Sequence, residues 1–195
     1  MKVFEKNIFM VFLFYGGNYM KNSKTYKITL SALFLALGIV MPFFTAQIPS
    51  IGSQLLPMHI PVLLCGFVLG GPYGAIIGFI TPLLRSALFS MPPMFPTAIC
   101  MAFELAVYGF MSGYLYRHLQ KTTMNVYLSL ITAMICGRVV WGIVSVILFS
   151  MQNQAFSLSM FIAGAFANAM IGIVLQIIII PLCIMALERA HLIYE

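Results

Sequence analysis

Residues 125–149 read NVYLSLITAMICGRVVWGIVSVILF, and the only charge among them is Arg138. About 20 predominantly apolar residues suffice to cross a bilayer as a helix, so this stretch predicts a membrane-spanning helix. An arginine at the centre of such a helix costs about 2.5–3.5 kcal/mol on insertion scales. Retaining Arg138 there makes it a functional candidate by default. On one side of the stretch lies the basic loop Arg117-His118-Leu119-Gln120-Lys121, and on the other the uncharged polar loop Gln152-Asn153-Gln154. Positive charge on one flank and none on the other is the signature by which a spanning helix is oriented.

The rest of the chain follows the same pattern. Of 195 residues, 62% are apolar and 7% charged, and the mean hydropathy is +1.04. An average soluble domain is about a quarter charged, and disordered chains are poor in apolar residues. The composition therefore excludes both classes and predicts a multi-pass integral membrane protein, embedded in the lipid bilayer. The length leaves room for six or seven helices and no soluble catalytic domain, so ATP would have to be used by another chain. The net charge of +6 follows membrane topology, and no nucleic-acid partner is expected. Aspartate is absent, and of the four acids only Glu104 falls inside an apolar stretch, which weakens mechanisms that need paired carboxylates.

Residues 1–19 read as a mis-assigned N-terminal extension. Ile8–Tyr15 is too short to span, and Gly16-Gly17 followed by Asn18-Tyr19-Met20 fits a translated ribosome-binding site before a start at Met20. Within the domain 20–195, helices are expected at about 28–44, 59–70, 73–90, 97–116, 125–149 and 158–187. The turns are marked by Pro49, Gly52 and Pro57, by Gly70-Gly71-Pro72, and by Pro92, Pro93 and Pro96. The second helix is short for a full span and is expected to lean on surrounding protein. Lys2, Lys6, Lys21, Lys24, Lys27, Arg117, Lys121 and Arg189 then fall on one side, and the three opposite loops hold no Lys or Arg. The expected fold is an all-α integral membrane six-transmembrane-helix bundle with N and C termini cytoplasmic.

Three charges remain inside the bilayer: Arg85, Glu104 and Arg138. An Arg–Glu pair that neutralises itself and fixes packing is the plain structural account of two of them. The second arginine is then left over, and it favours an anionic group on a ligand, a carboxylate above all. Three stripes at helical spacing accompany these charges. They are Arg138, Trp141, Ser145 and Phe149; Thr97, Met101, Glu104 and Tyr108; and Gly164, Asn168, Gly172 and Gln176. Together they have the composition of a small-molecule pocket, although each aromatic or amide taken alone reads as packing or interhelical glue. The candidate substrate-binding residues are Arg85, Glu104, Tyr108, Arg138, Trp141 and Asn168. His59 reads as a capping or interfacial histidine. With no second histidine or acid at metal spacing, no metal site is expected. Cys65, Cys100, Cys136 and Cys183 are single apolar packing residues. There is no Walker, GxSxG or HExxH motif, and neither a catalytic residue nor a cofactor is expected.

Residues 21–195 resemble the substrate-binding S components of energy-coupling-factor (ECF) vitamin importers. The resemblance rests on the helix layout, on Ala32-Leu33-Phe34-Leu35-Ala36 in the first helix and on the long loop before the second. It also rests on Leu56-Pro57-Met58-His59-Ile60-Pro61 leading to Gly66-Phe67-Val68-Leu69-Gly70-Gly71-Pro72-Tyr73-Gly74, and on Gly137-Arg138 in the fifth helix. It implies that Ala32 and Ala36 pack on a coupling membrane subunit driven by two ABC-type ATPases. It also implies an outer-half substrate site walled by helices four to six, beneath loops 45–58 and 91–96. The protein would be a binding component and not an enzyme. Among the ligands of such proteins, the extra positive charge points to pantothenate, whereas Trp141 and Tyr108 suit a ring better. Riboflavin, folates, pyridoxine-type compounds and queuosine precursors are the other candidates. The alternative is a self-contained secondary transporter or channel, against which stand the absence of aspartate and of obvious inverted repeats. An intramembrane enzyme would lack a second acid–base partner, and a purely structural protein would not explain three buried charges.

Overall fold

Ser23 opens the first helix by accepting a hydrogen bond on its hydroxyl from the Tyr26 N–H at 3.1 Å, a cap that satisfies one of the free donors at a helix start. This computed structural model describes residues 23–45 and 54–190. The proposed extension 1–19 and most of loop 45–58 lie outside the described residues. Helix α1 runs Lys24–Val40 and tightens into a 3-10 turn at Met41–Thr45. Helix α2 is His59–Leu69, α3 is Gly71–Phe89, α4 is Ile99–His118 and α5 is Thr123–Met151. A short α6, Leu158–Ile162, and a wide turn, Ala163–Ala167, lead to α7, Met170–Arg189. The described residues form no strand.

Among the described residues, five helical stretches are long and apolar enough to cross a membrane: Lys24–Phe44, Gly71–Phe89, Met94–His118, Thr123–Met151 and Met170–Arg189. Helix α2 is too short for that, and every residue of it except Leu64 is buried. It is therefore the central strut of the bundle. Its end is built by Gly70, whose φ of +95° suits a residue without Cβ. The Arg117 guanidinium packs against that glycine and donates from Nη2 to the Leu69 carbonyl at 2.7 Å, supplying a partner for a carbonyl freed by the helix end.

Around α2 the helices close up on glycine. Gly66, Gly74, Gly109 and Gly113 place the backbones of α2, α3 and α4 directly against one another, and Gly78 does the same against Leu105. Small residues are what allow such approach where lipid removes the hydrophobic drive between helices. The basic ends gather together. The C-terminal end of α4 meets that of α7 where the Tyr116 hydroxyl donates to the Glu188 carboxylate, and it meets the end of α2 through Arg117. At the opposite end of the bundle, Arg85 near the end of α3 reaches the end of α1 at Ile39.

The last predicted helix, 158–187, is corrected: it is interrupted over 163–169. The Asn168 N–H reaches back five residues to the Ala163 carbonyl at 2.8 Å, which widens the turn and shifts the register of everything after it. The Trp141 indole packs against Gly164 at this break.

Candidate functional site

The centre of the bundle holds an ion pair. Arg138 on α5 places Nη1 2.9 Å from the Glu104 carboxylate on α4. Both are buried, Glu104 at 1% exposure and Arg138 at 6%. His59, at the start of α2, brings Nε2 to 3.8 Å from the same carboxylate oxygen. The Tyr108 hydroxyl, one turn along α4, faces Glu104 as well, and its ring lies edge-on to His59 with centroids 5.5 Å apart. That ring occupies the space where a Cβ on Gly137 would sit. Gly137 therefore lets α5 approach, and Arg138 follows directly after it.

This cluster is short of internal partners. Arg138 Nε and Nη2 and His59 Nδ1 are buried without a hydrogen bond among the described residues, and so, on α7, are both amide atoms of Gln176. Buried polar groups without partners are uncommon and costly. On Arg138 they are hydrogen-bonding capacity that the described residues leave unused.

The structure brings Glu104, Tyr108 and Arg138 together. Trp141, one turn beyond Arg138, is half-buried and forms an aromatic group with Phe156 at 5.8 Å and Phe161 at 6.1 Å. The stripe on α5 continues to Ser145, whose hydroxyl donates to Cys100 Sγ at 3.4 Å. Arg85 and Asn168 are placed elsewhere. Asn168 is exposed in the break before α7, because the widened turn rotates it away from the face that keeps Gly172 and Gln176 buried. The Arg85 guanidinium donates to the Ile39 carbonyl at 2.5 Å and lies over the rings of Phe43 and Phe89, at 5.0 and 5.6 Å. It thus serves the negative end of α1, as a cation at a helix C-terminus does. The spare positive charge that favoured a ligand carboxylate, and with it pantothenate, is therefore engaged within the chain. Arg138 already has its counter-charge in Glu104, and Arg85 is committed to α1.

His59 joins the cluster although it was absent from the sequence-derived set. A lone histidine in an apolar run has several ordinary roles, and only the fold shows it against Glu104. Gln176 stands in the predicted stripe with Asn168, and its complete burial distinguishes it. Replacing Arg85 with methionine keeps the apolar stem and removes the charged hydrogen bond, a contact of about 1.5–3 kcal/mol. The expected result is a lower melting temperature in detergent with the ligand-induced stabilisation retained, read from thermal unfolding with and without ligand.

A bundle of long apolar helices closed around a buried ion pair defines a multi-pass membrane protein. The chain belongs to the family of ECF transporter substrate-specific components, whose family model matches residues 26–185. That is a family of membrane-embedded, substrate-binding transport components that work with an ECF module in vitamin-type uptake, and it is not a class of enzymes. Searches of curated proteins and of solved structures return no match.

Proposed function

We propose that the chain captures a vitamin-like small molecule from outside the cell at the Glu104–Arg138 centre and delivers it through an ECF coupling subunit driven by two ABC-type ATPases. The observation that supports this most directly is the buried pair itself, with His59 and Tyr108 beside it and hydrogen-bonding atoms on Arg138 to spare. Trp141 and its aromatic neighbours form the wall one turn nearer the end of the bundle remote from Arg117 and Arg189. In this reading the short α2 counts as the sixth transmembrane element. Both termini are cytoplasmic, since the basic residues then meet the positive-inside rule, and the site opens to the outer half.

The coupling contact is proposed on α1. Ala32 and Ala36 are exposed on a face with Leu33 and Leu37, while Ser31, Phe34 and Gly38 turn inward. A small-residue face of this kind allows another helix to approach closely. Ala32→Trp is expected to bind ligand like the wild type but to fail in assembly, giving uptake reduced at least tenfold in vesicles that contain the ECF module and ATP. Uptake by the chain alone, driven by an ion gradient without ATP, would instead establish a secondary transporter. Normal assembly and uptake by Ala32→Trp would remove α1 as the coupling face.

A further inference from the structure

Among the described residues, α3 and α7 each carry a proline in the helix interior, Pro82 and Pro181. Proline has no N–H to return to the carbonyl four residues back, and its ring crowds that carbonyl. Each is therefore a place where the helix can bend. In α3 the bend is held from both sides. Before Pro82, Gly74 and Gly78 lie against the α4 backbone, and Gly38 of α1 lies against the Thr81 side chain. After it, Arg85 donates to the Ile39 carbonyl, and the Phe89 ring stands edge-on to Phe43 at 5.0 Å.

In α7 only one side is fastened. After Pro181, the Tyr116 hydroxyl donates to the Glu188 carboxylate, and the Thr123 hydroxyl reaches Met185 Sδ at 3.9 Å. Before it, residues 170–180 hold a single polar side chain, Gln176, which is buried without a hydrogen bond among the described residues. Their close backbone approach is at Gly172, where a Cβ would lie 2.6 Å from the Gln54 carbonyl oxygen. At its start this segment meets the wide turn that Asn168 closes on Ala163. It is thus an apolar rod between two breaks. The rod covers the interior: α7 packs on α2 and α5, and both of these pack on α4. It closes the bundle on the side away from α4, the helix that bears Glu104.

We infer that 170–180 is a door hinged at Pro181. Closed, it seats Gly172 on the 54–55 backbone. Open, it tilts off α2 and α5 while 182–189 stays fastened. Where the Glu104–Arg138 centre is read as the capture site, the door is the ligand's lateral way in. At about 1.5 Å of rise per residue, the segment from Ile171 to Pro181 is a lever of about 15 Å. A bend of about 20° at the proline moves its far end by about 5 Å.

The test measures distances between paired spin labels on the full chain in lipid nanodiscs, with Cys65, Cys100, Cys136 and Cys183 replaced by alanine and folding checked by the unfolding transition. One pair is carried by Leu88→Cys and Ile171→Cys, the other by Leu88→Cys and Ala186→Cys, all at exposed positions. The first pair is expected to show two populations about 5 Å apart, and the second pair one. Pro181→Ala restores an N–H to the Ile177 carbonyl and is expected to remove the displaced population. Gly172→Leu wedges the seat and is expected to enrich that population at least threefold, with the Leu88–Ala186 distance unchanged. A single narrow Leu88–Ile171 distance, or two populations that Pro181→Ala leaves as they were, overturns the inference. So does equal broadening of both pairs, which would mean that α7 moves as a whole. If Gly172→Leu does not fold, the wild type and Pro181→Ala decide. No ligand enters this experiment, so its failure removes the door and leaves the capture reading to be judged by uptake with the ECF module.

Discussion

Arg138→Ala is expected to abolish ligand binding and to destabilise the bundle by about 3–5 kcal/mol, the cost of removing one partner of a buried ion pair. The cost arises because the variant leaves Glu104 behind, at 1% exposure, with His59 and Tyr108 beside its carboxylate but no arginine to balance it. A buried carboxylate without its counter-charge is far worse than no carboxylate at all. The double variant Arg138→Met with Glu104→Gln should therefore recover most of the lost stability, because replacing both charges by groups of similar volume is often close to neutral. It should still not bind ligand. Unfolding in detergent, followed with and without ligand, reads both effects. A single variant as stable as the wild type, or a double variant no better than the single, would show that the pair has no energetic role in the fold.

The second large effect belongs to the glycine seam. A Cβ at Gly109 would collide with the Gly74 backbone, including its carbonyl carbon and oxygen, and neither can rotate aside as a side chain would. Overpacking against movable side chains costs about 1–3 kcal/mol. Gly109→Val, which adds three carbons against fixed backbone, is expected to exceed that range and to leave little folded protein. Because α4 holds Glu104 and Tyr108, any separation of α3 from α4 also moves the site. The exposed neighbour Phe110→Leu is the control and should change stability by less than about 0.5 kcal/mol, as surface substitutions usually do. Size-exclusion profiles and melting curves of the two variants distinguish them. A well-folded Gly109→Val would mean that the helices approach less closely than described.

Apolar length and turn residues made the long helices readable directly. The stretches expected at 73–90, 97–116 and 125–149 correspond to α3, α4 and α5 at Gly71–Phe89, Ile99–His118 and Thr123–Met151. The short second helix was equally plain, because Pro57 and Gly70-Gly71-Pro72 confine it. The polar core could be narrowed to three charges for a simple reason: a chain with so few of them in apolar runs has few ways to build a binding centre. Membership in a membrane transport family was likewise written in the order of the motifs.

Which of those charges meet was decided only in three dimensions. Helices in lipid are apolar on every side, so the sequence lacks the amphipathic stripe that shows the inward face of a soluble helix. Rotation and depth are then set by where backbones can touch, and here Gly74 against Gly109 and Gly137 beneath Tyr108 set them. That packing puts Arg138 on Glu104, draws His59 into the same cluster and commits Arg85 to the end of α1. The break at 163–169 has the same origin: a single wide turn, invisible in composition, rotates Asn168 outward while Gly172 and Gln176 stay within. Sequence alone determined that this is a membrane bundle with a few costly charges at its heart. The close contact of helix backbones determined which of those charges meet.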